Sequence, residues 1–147
     1  MSDDPLVSIV IPTYDRVGWV ETAIESVLSQ DHPRIELIVV DDGSHDETPQ
    51  LLERIAARAN PARFRHVRHD NVGQAASINR GLELASGDLL GYLSSDDHLL
   101  PGALSRLAAE GRAHPEADVL YPDFEVADAT GRRLDTIEPL QHTWVDA

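Results

Sequence analysis

Short apolar runs rich in β-branched residues recur along this chain, and each is followed almost at once by a carboxylate. Asp15 comes shortly after the run 6–11, Asp41 and Asp42 close the run 35–40, Asp70 closes 64–69, and Asp96 and Asp97 follow 89–93. Between the runs, apolar residues fall at helical spacing: Val20, Ala23, Ile24, Val27 and Leu28, then Leu51, Leu52, Ile55 and Ala56. The runs read as buried strands and the intervening segments as amphipathic helices. Repeated strand–helix–strand units imply right-handed crossovers and a Rossmann-like α/β fold, a mainly parallel sheet with helices on both faces. In such a sheet every strand end lies on one edge, which is where these folds bind ligands. A row of carboxylates there repels itself unless a cation or a hydrogen-bond donor sits among them. The pattern points to a metal-and-nucleotide site.

The punctuation supports this layout. His32-Pro33 ends the first helix, Asp42-Gly43-Ser44 is turn chemistry, and Pro61 stops a second helix spanning 48–59. Asn71-Val72-Gly73 opens a third helix that runs to about residue 85, with Gly87 as terminator. Pro101 starts a fourth helix through Arg112. A fifth strand is expected over 119–124, and Asp128-Ala129-Thr130-Gly131 reads as a hairpin turn leading back through Arg132 and Arg133. The organisation expected is one domain over 1–135 and a tail, or the start of a further region, over 136–147.

Composition excludes several function classes. A net charge of −14 over 147 residues argues against bare nucleic acid or an anionic membrane as a partner. There is no cysteine, so thiolate zinc sites and cysteine nucleophiles are ruled out. All twelve basic residues are arginine, which removes Schiff-base chemistry and a P-loop lysine. The acidic start, Met1-Ser2-Asp3-Asp4-Pro5, lacks the basic and apolar regions of a signal peptide, and no apolar run nears the roughly 20 residues of a membrane helix. The expectation is a cytoplasmic chain without a membrane segment, with a homodimer left open.

The Asp96–Asp97 pair carries the strongest chemistry. Hard cations such as Mg2+ or Mn2+ take one or two protein carboxylates and let substrate phosphates complete the shell. At a strand end one carboxylate can face a metal while its neighbour faces a sugar hydroxyl. A helix cap needs only one Asp close to the helix start, and Leu99 and Leu100 intervene before Pro101. Asp42 can accept the imide N–H of uracil or thymine, or N1–H and the amino group of guanine, whereas adenine offers no equivalent ring donor. Alternatively, Asp41 or Asp42 only closes an Asx turn. Asn79 falls with Ala75, Ala76, Ile78 and Leu82 on or beside the expected buried face, and its partner is either a ligand or the surrounding fold. Arg80 is a candidate diphosphate contact or a surface residue. His98 is a weak third metal ligand or a loop residue, and the seven histidines show no ligand spacing. Tyr14 and Trp19 either line a base pocket or pack the first helix.

Taken together, these motifs resemble the family 2 glycosyltransferases, which have the GT-A fold. The matching segments are Val7-Ser8-Ile9-Val10-Ile11-Pro12-Thr13-Tyr14-Asp15-Arg16, Ile38-Val39-Val40-Asp41-Asp42-Gly43-Ser44, Asn71-Val72-Gly73, Ile78-Asn79-Arg80-Gly81-Leu82, Gly87-Asp88, Tyr92-Leu93-Ser94-Ser95-Asp96-Asp97 and Leu100-Pro101-Gly102-Ala103-Leu104. The resemblance implies that Pro12, Thr13 and Tyr14, with Asp15, border the base. Asp42 would bind uracil and Asp96 the ribose or donor sugar. Asp97 would hold the divalent cation, Mn2+ or Mg2+, that assists departure of the nucleoside diphosphate. The implied activity is inverting transfer from a nucleoside-diphosphate sugar, UDP-linked, to a saccharide, lipid-linked or protein acceptor. Two departures stand out. Ser94 and Ser95 occupy positions where many members carry a further acid, and the general base is expected beyond this chain's end.

Three other readings compete. A catalytically silent nucleotide-binding module would bind nucleoside diphosphate with metal and transfer nothing. A phosphoacceptor receiver would need a lysine that the chain lacks, and a nucleotidyltransferase would want a Gly-rich basic loop where Pro12 to Arg16 stand.

Overall fold

The computed structural model describes residues 4–137. Two compact units divide between Ala108 and Ala109. In the first, β1 (Val7–Thr13), β2 (Ile35–Asp41), β3 (Phe64–Arg68) and β4 (Leu89–Tyr92) form a parallel sheet in the order β3-β2-β1-β4. The pairings run Val7↔Ile35 to Thr13↔Asp41, Leu37↔Phe64 to Asp41↔Arg68, and Val7↔Leu89 to Val10↔Tyr92. Helices α1 (Val20–Leu28), α2 (Thr48–Arg58) and α3 (Gln74–Leu84) link them, and α4 (Ala103–Ala113) follows β4.

Strand alternation sorts the side chains onto two faces. Val7, Ile9, Ile11, Ile35, Leu37 and Val39 pack with α1, with Leu51, Leu52 and Ile55 of α2, and with Leu104 and Ala108. Val10, Ile38 and Val40 point the other way, against Leu82, Leu84 and Ala85 at the end of α3. The chain therefore moves outward from β1 to β3 with its helices on one face. It then crosses back over the other face through α3 to place β4 beside β1. The strand order reverses between β1 and β4, and that reversal opens a crevice at their C-terminal ends.

The third helix sits differently from its sequence-based expectation. It starts at Gln74, after a loop over 71–73, and its buried residues are Ser77 and Gly81. Ala75, Ala76 and Asn79 are exposed. The reason is close approach: a Cβ on Gly81 would stand 2.3 Å from Val10 Cγ1. The helix turns its smallest side chains to the sheet, and a bulkier face would hold it away.

In the second unit, β5 (Phe124–Ala127) and β6 (Arg133–Ile137) form an antiparallel hairpin across the expected Asp128–Gly131 turn. The strand expected over 119–124 is displaced to Phe124–Ala127. Pro122 has no N–H to give a ladder, so pairing begins only after it. Of the tail expected over 136–147, residues 138–147 lie outside the described residues.

Candidate donor-binding cleft

A cleft of about 460 Å³ opens at the strand-order reversal. Pro12 and Thr13 line it at the end of β1, with Tyr14 and Arg16 just after it, Asp42 after β2, Asn71 and Gly73 after β3, Gln74 and Ser77 on α3, and Ser94, Ser95 and Asp96 after β4. Each strand of the sheet contributes its end, as the pattern of terminal carboxylates implied.

The adjacent acids Asp41 and Asp42 divide their tasks by strand alternation. Asp41 is 1% exposed and its Oδ1 accepts the Ser44 N–H at 2.9 Å, which closes the turn 41–44. Its Oδ2 faces Arg68 Nε at 3.4 Å. Asp42 points into the cleft. Its Oδ1 accepts the Val72 N–H and its Oδ2 the Gly73 N–H, both at 2.9 Å, so it ties the start of α3 to the end of β2. Gly43 permits this approach, with φ at +79° and space for a Cβ only 2.9 Å from Asn71 N.

Asp15 plays another part. It adopts φ +50°, its Oδ1 accepts the His45 and Asp46 N–H groups at 2.7 and 3.2 Å, and it does not line the cleft. Its own N–H donates to Ser44 Oγ, and the next two N–H groups donate to Thr48 Oγ1 and Asp46 Oδ2. The loops after β1 and β2 are thereby clasped, which holds Tyr14 and Arg16 at the rim. Tyr14 is 42% exposed and meets His45 edge-on, with ring centroids 6.2 Å apart. Thr13 Oγ1 is buried beside it without a partner among the described residues.

The acidic pair stands on a turn closed by the Asp97 N–H donating to Ser94 O at 3.1 Å. Helix α1 braces the segment that follows. Leu99 N–H donates to Ser26 Oγ, while Gln30 donates to Leu100 O and accepts from Leu104 N–H. Asp96 lines the cleft; Asp97 lies just outside its wall. Burial pushes the Asp97 carboxyl above its ordinary value, the charge of Asp96 adds to the rise, and His98 pulls against it. Among the described residues no group of three or more His, Asp or Glu side chains is arranged to hold a metal. The donor set is Asp97 and the neighbouring Asp96, whose charge weighs on it, which suits a hard cation sharing its shell with ligand phosphates.

Asn79 and Arg80, each expected as either a diphosphate contact or a structural residue, stand away from the cleft lining, and Arg80 pairs with Glu83 at 3.4 Å. Trp19 also falls outside the lining. Sequence reasoning did not single out Arg16 as a ligand, or Gln74, Ser77 and Ser94. Arg16 is the cation of the lining, and no hydrogen bond or ion pair engages its guanidinium among the described residues. Its position just past a strand end, among acids, was a readable signal.

The profile of glycosyl transferase family 2 matches residues 8–140. The chain belongs to that family. It is 36% identical over 113 residues to the GalNAc(5)-diNAcBac-PP-undecaprenol beta-1,3-glucosyltransferase of Campylobacter jejuni, covering 75% of this chain and 37% of that protein. Among solved structures, S. aureus TarS in complex with UDP-GlcNAc superposes with a TM-score of 0.68 at 28% identity, over 75% of this chain and 32% of that one. The mannosyltransferase PcManGT of Pyrobaculum calidifontis, in complex with GDP-Man and Mn2+, gives 0.65 at 27% identity, over 71% and 31%. The sheet of this family 2 domain is GT-A-like, and the chain spans about a third of the length of these relatives. No helix among the described residues is long and apolar enough to cross a membrane.

Proposed function

We propose that the cleft binds the nucleoside-diphosphate part of a sugar donor, and that the protein takes part in inverting glycosyl transfer from it. One observation carries the reading: Pro12–Tyr14, Asp42 and Asp96, from three separate strand ends, line one cleft at the strand-order reversal. Tyr14 offers a ring face to the base, and Asp42, with two N–H bonds already accepted, retains lone pairs for an imide N–H, favouring uridine or thymidine over cytidine. Thr13 Oγ1 offers a buried hydroxyl that lacks a partner. Asp96 would hold the ribose or sugar, and Arg16 would answer the charge of the diphosphate in place of Arg80.

Asp97 is the residue to hold Mn2+ or Mg2+, with Asp96 beside it. When bound, the cation would stabilise the negative charge of the departing diphosphate. The neighbours' names support the two halves of this reading, UDP-GlcNAc for one and GDP-Man with Mn2+ for the other.

The test is the thermal shift of this chain with UDP, GDP, dTDP and CDP, each with and without Mn2+. Saturating ligand at a hundredfold excess over Kd stabilises by about 2.7 kcal/mol. A manganese-dependent shift for UDP, GDP or dTDP that exceeds the shift for CDP supports the donor site; no shift with any of the four overturns it. Release of nucleoside diphosphate from a donor sugar in an acceptor screen then separates transfer from silent binding.

A further inference from the structure

Asp15 stands between Tyr14 and Arg16, which both line the cleft, and does not line it itself. Its φ of +50° lies in the left-handed region, which few side chains other than aspartate and asparagine tolerate. Such a conformation persists where the surroundings enforce it. Here they do so through bonds that run both ways. The N–H groups of Asp15, Arg16 and Val17 donate to Ser44 Oγ, Thr48 Oγ1 and Asp46 Oδ2 at 2.9, 3.2 and 3.1 Å. In return Asp15 Oδ1 accepts the His45 and Asp46 N–H groups. Ser44 and Thr48 are buried, which fixes their acceptors in place. Arg16 O takes the Trp19 and Val20 N–H groups at 2.9 and 3.0 Å, anchoring the same turn to the start of α1. The Arg16 backbone is thus held at both its polar groups, while its side chain is left to the cleft. Tyr14 is reached through the chain and also through His45, whose ring meets its edge.

We propose that Asp15 is a positioning residue for donor binding: its carboxylate touches no part of the ligand and sets affinity through the placement of Tyr14 and Arg16. The inference rests on the nucleotide reading above and deepens it. Preorganisation is the physical reason. A ligand that must first order a loose rim loses part of its binding free energy to that ordering, and a rim already fixed leaves it for contacts. Ser44, Asp46 and Thr48 hold the rim from the β2 side, and Asp15 answers from the β1 side. Both bonds to Asp15 Oδ1 lie at the surface, so water can take over the His45 and Asp46 N–H groups when the carboxylate is removed. The fold survives that loss, and the placement of the rim does not.

The experiment is a mutant cycle read as calorimetric Kd with saturating Mn2+, for UDP or for GDP, whichever the wild type binds more tightly. Asp15→Ala, confirmed folded by its melting curve, should weaken binding about fivefold or more, within the range of coupling between neighbouring residues. Placed in a Tyr14→Ala/Arg16→Ala background, the same substitution should cost less than about twofold, because the side chains it places are gone. A lesion that merely loosened the fold would cost the same in both backgrounds. Asp15→Asn keeps an acceptor oxygen and tolerates the left-handed φ, so it should restore binding to within about twofold of the wild type. Asp15→Gly takes that φ freely but offers no acceptor, and should lose affinity as Asp15→Ala does. Equal losses in the two backgrounds would overturn the proposal. So would wild-type affinity in Asp15→Ala or Asp15→Gly, or a loss in Asp15→Asn equal to that in Asp15→Ala. Absence of binding by either nucleotide to the wild type would instead overturn the nucleotide reading itself, and this inference with it.

Discussion

The two ends of the parallel sheet each hold carboxylates, and they treat them oppositely. At the N-terminal end, Glu36 of β2 accepts from Ser8 Oγ at 2.5 Å, from Ser86 N–H at 2.8 Å and Ser86 Oγ at 2.9 Å, and from Arg65 at 3.1 Å. Burial alone would raise its pKa, but the hydrogen bonds and the Arg65 charge outweigh it and hold the carboxyl below its ordinary value. At the C-terminal end, burial and Asp96 leave Asp97 above its ordinary value. One carboxylate is a finished brace between β1, β2 and the approach to β4. The other is a charge the fold tolerates at a cost and that a cation would relieve. The difference teaches that a carboxylate's position along a strand predicts less than its supply of donors.

The largest expected effect separates these two roles. Asp97→Asn should weaken Mn2+-dependent nucleoside-diphosphate binding by at least about 100-fold, because even groups one shell removed from a metal are worth 10- to 100-fold. Without metal the same variant should be at least as stable as the wild type, since it removes a disfavoured charge. A destabilised Asp97→Asn that keeps wild-type metal-dependent affinity would collapse the contrast. Glu36→Ala should do the reverse. It strands the Ser8 hydroxyl and the Ser86 N–H, and should cost about 1–3 kcal/mol in urea unfolding with nucleotide affinity unchanged in the folded fraction.

Acidity sharpens the same contrast, and the signs are opposed. Glu36 has a folded pKa below its unfolded value, so its contribution is present above the unfolded pKa and fades as pH falls through the folded one. Asp97 has a raised folded pKa, so its contribution is present at low pH and fades as pH rises through that value. Metal-free unfolding measured from pH 3 to 7 should therefore show a shallower acid loss in Glu36→Gln than in the wild type. In Asp97→Asn the acid loss should be steeper. Parallel curves for all three would remove the distinction.

Much of this was readable because strand period and terminal carboxylates are strong, local signals. The four parallel strands, the alternation with helices and the gathering of Pro12–Tyr14, Asp42 and Asp96 at one edge follow from them. What escaped depends on contacts between distant residues. The roll of α3 is set by Gly81 meeting Val10, roughly seventy positions earlier, so its exposed Asn79 looked buried. Asp15 resembled a ligand, yet its carboxylate is taken by two N–H groups of another loop. The choice between Asp41 and Asp42 stayed open in sequence because either can close a turn. Only the register opposite Thr13 turns Asp41 inward to Ser44.

The arginines give the smallest effects and the finest version of the comparison. Arg65 donates to Glu36 and to Leu84 O at the braced end, and it is 42% exposed at its side chain. Solvent screening limits such a pair, so Arg65→Ala should cost about 1 kcal/mol or less, with binding unaltered. Arg16 at the cleft end makes no such contact among the described residues, and removing it should leave stability within about 0.5 kcal/mol of the wild type. Its effect should appear in binding alone: a few-fold loss of nucleoside-diphosphate affinity at low salt, shrinking as added salt screens the charge. Arg80→Ala, whose partner Glu83 lies one helical turn away, should change stability by only about 0.2–0.5 kcal/mol and binding not at all. If Arg80→Ala weakened binding and Arg16→Ala did not, the diphosphate would lie over α3 rather than at the β1 rim. The cleft's ligand would then run in the opposite direction.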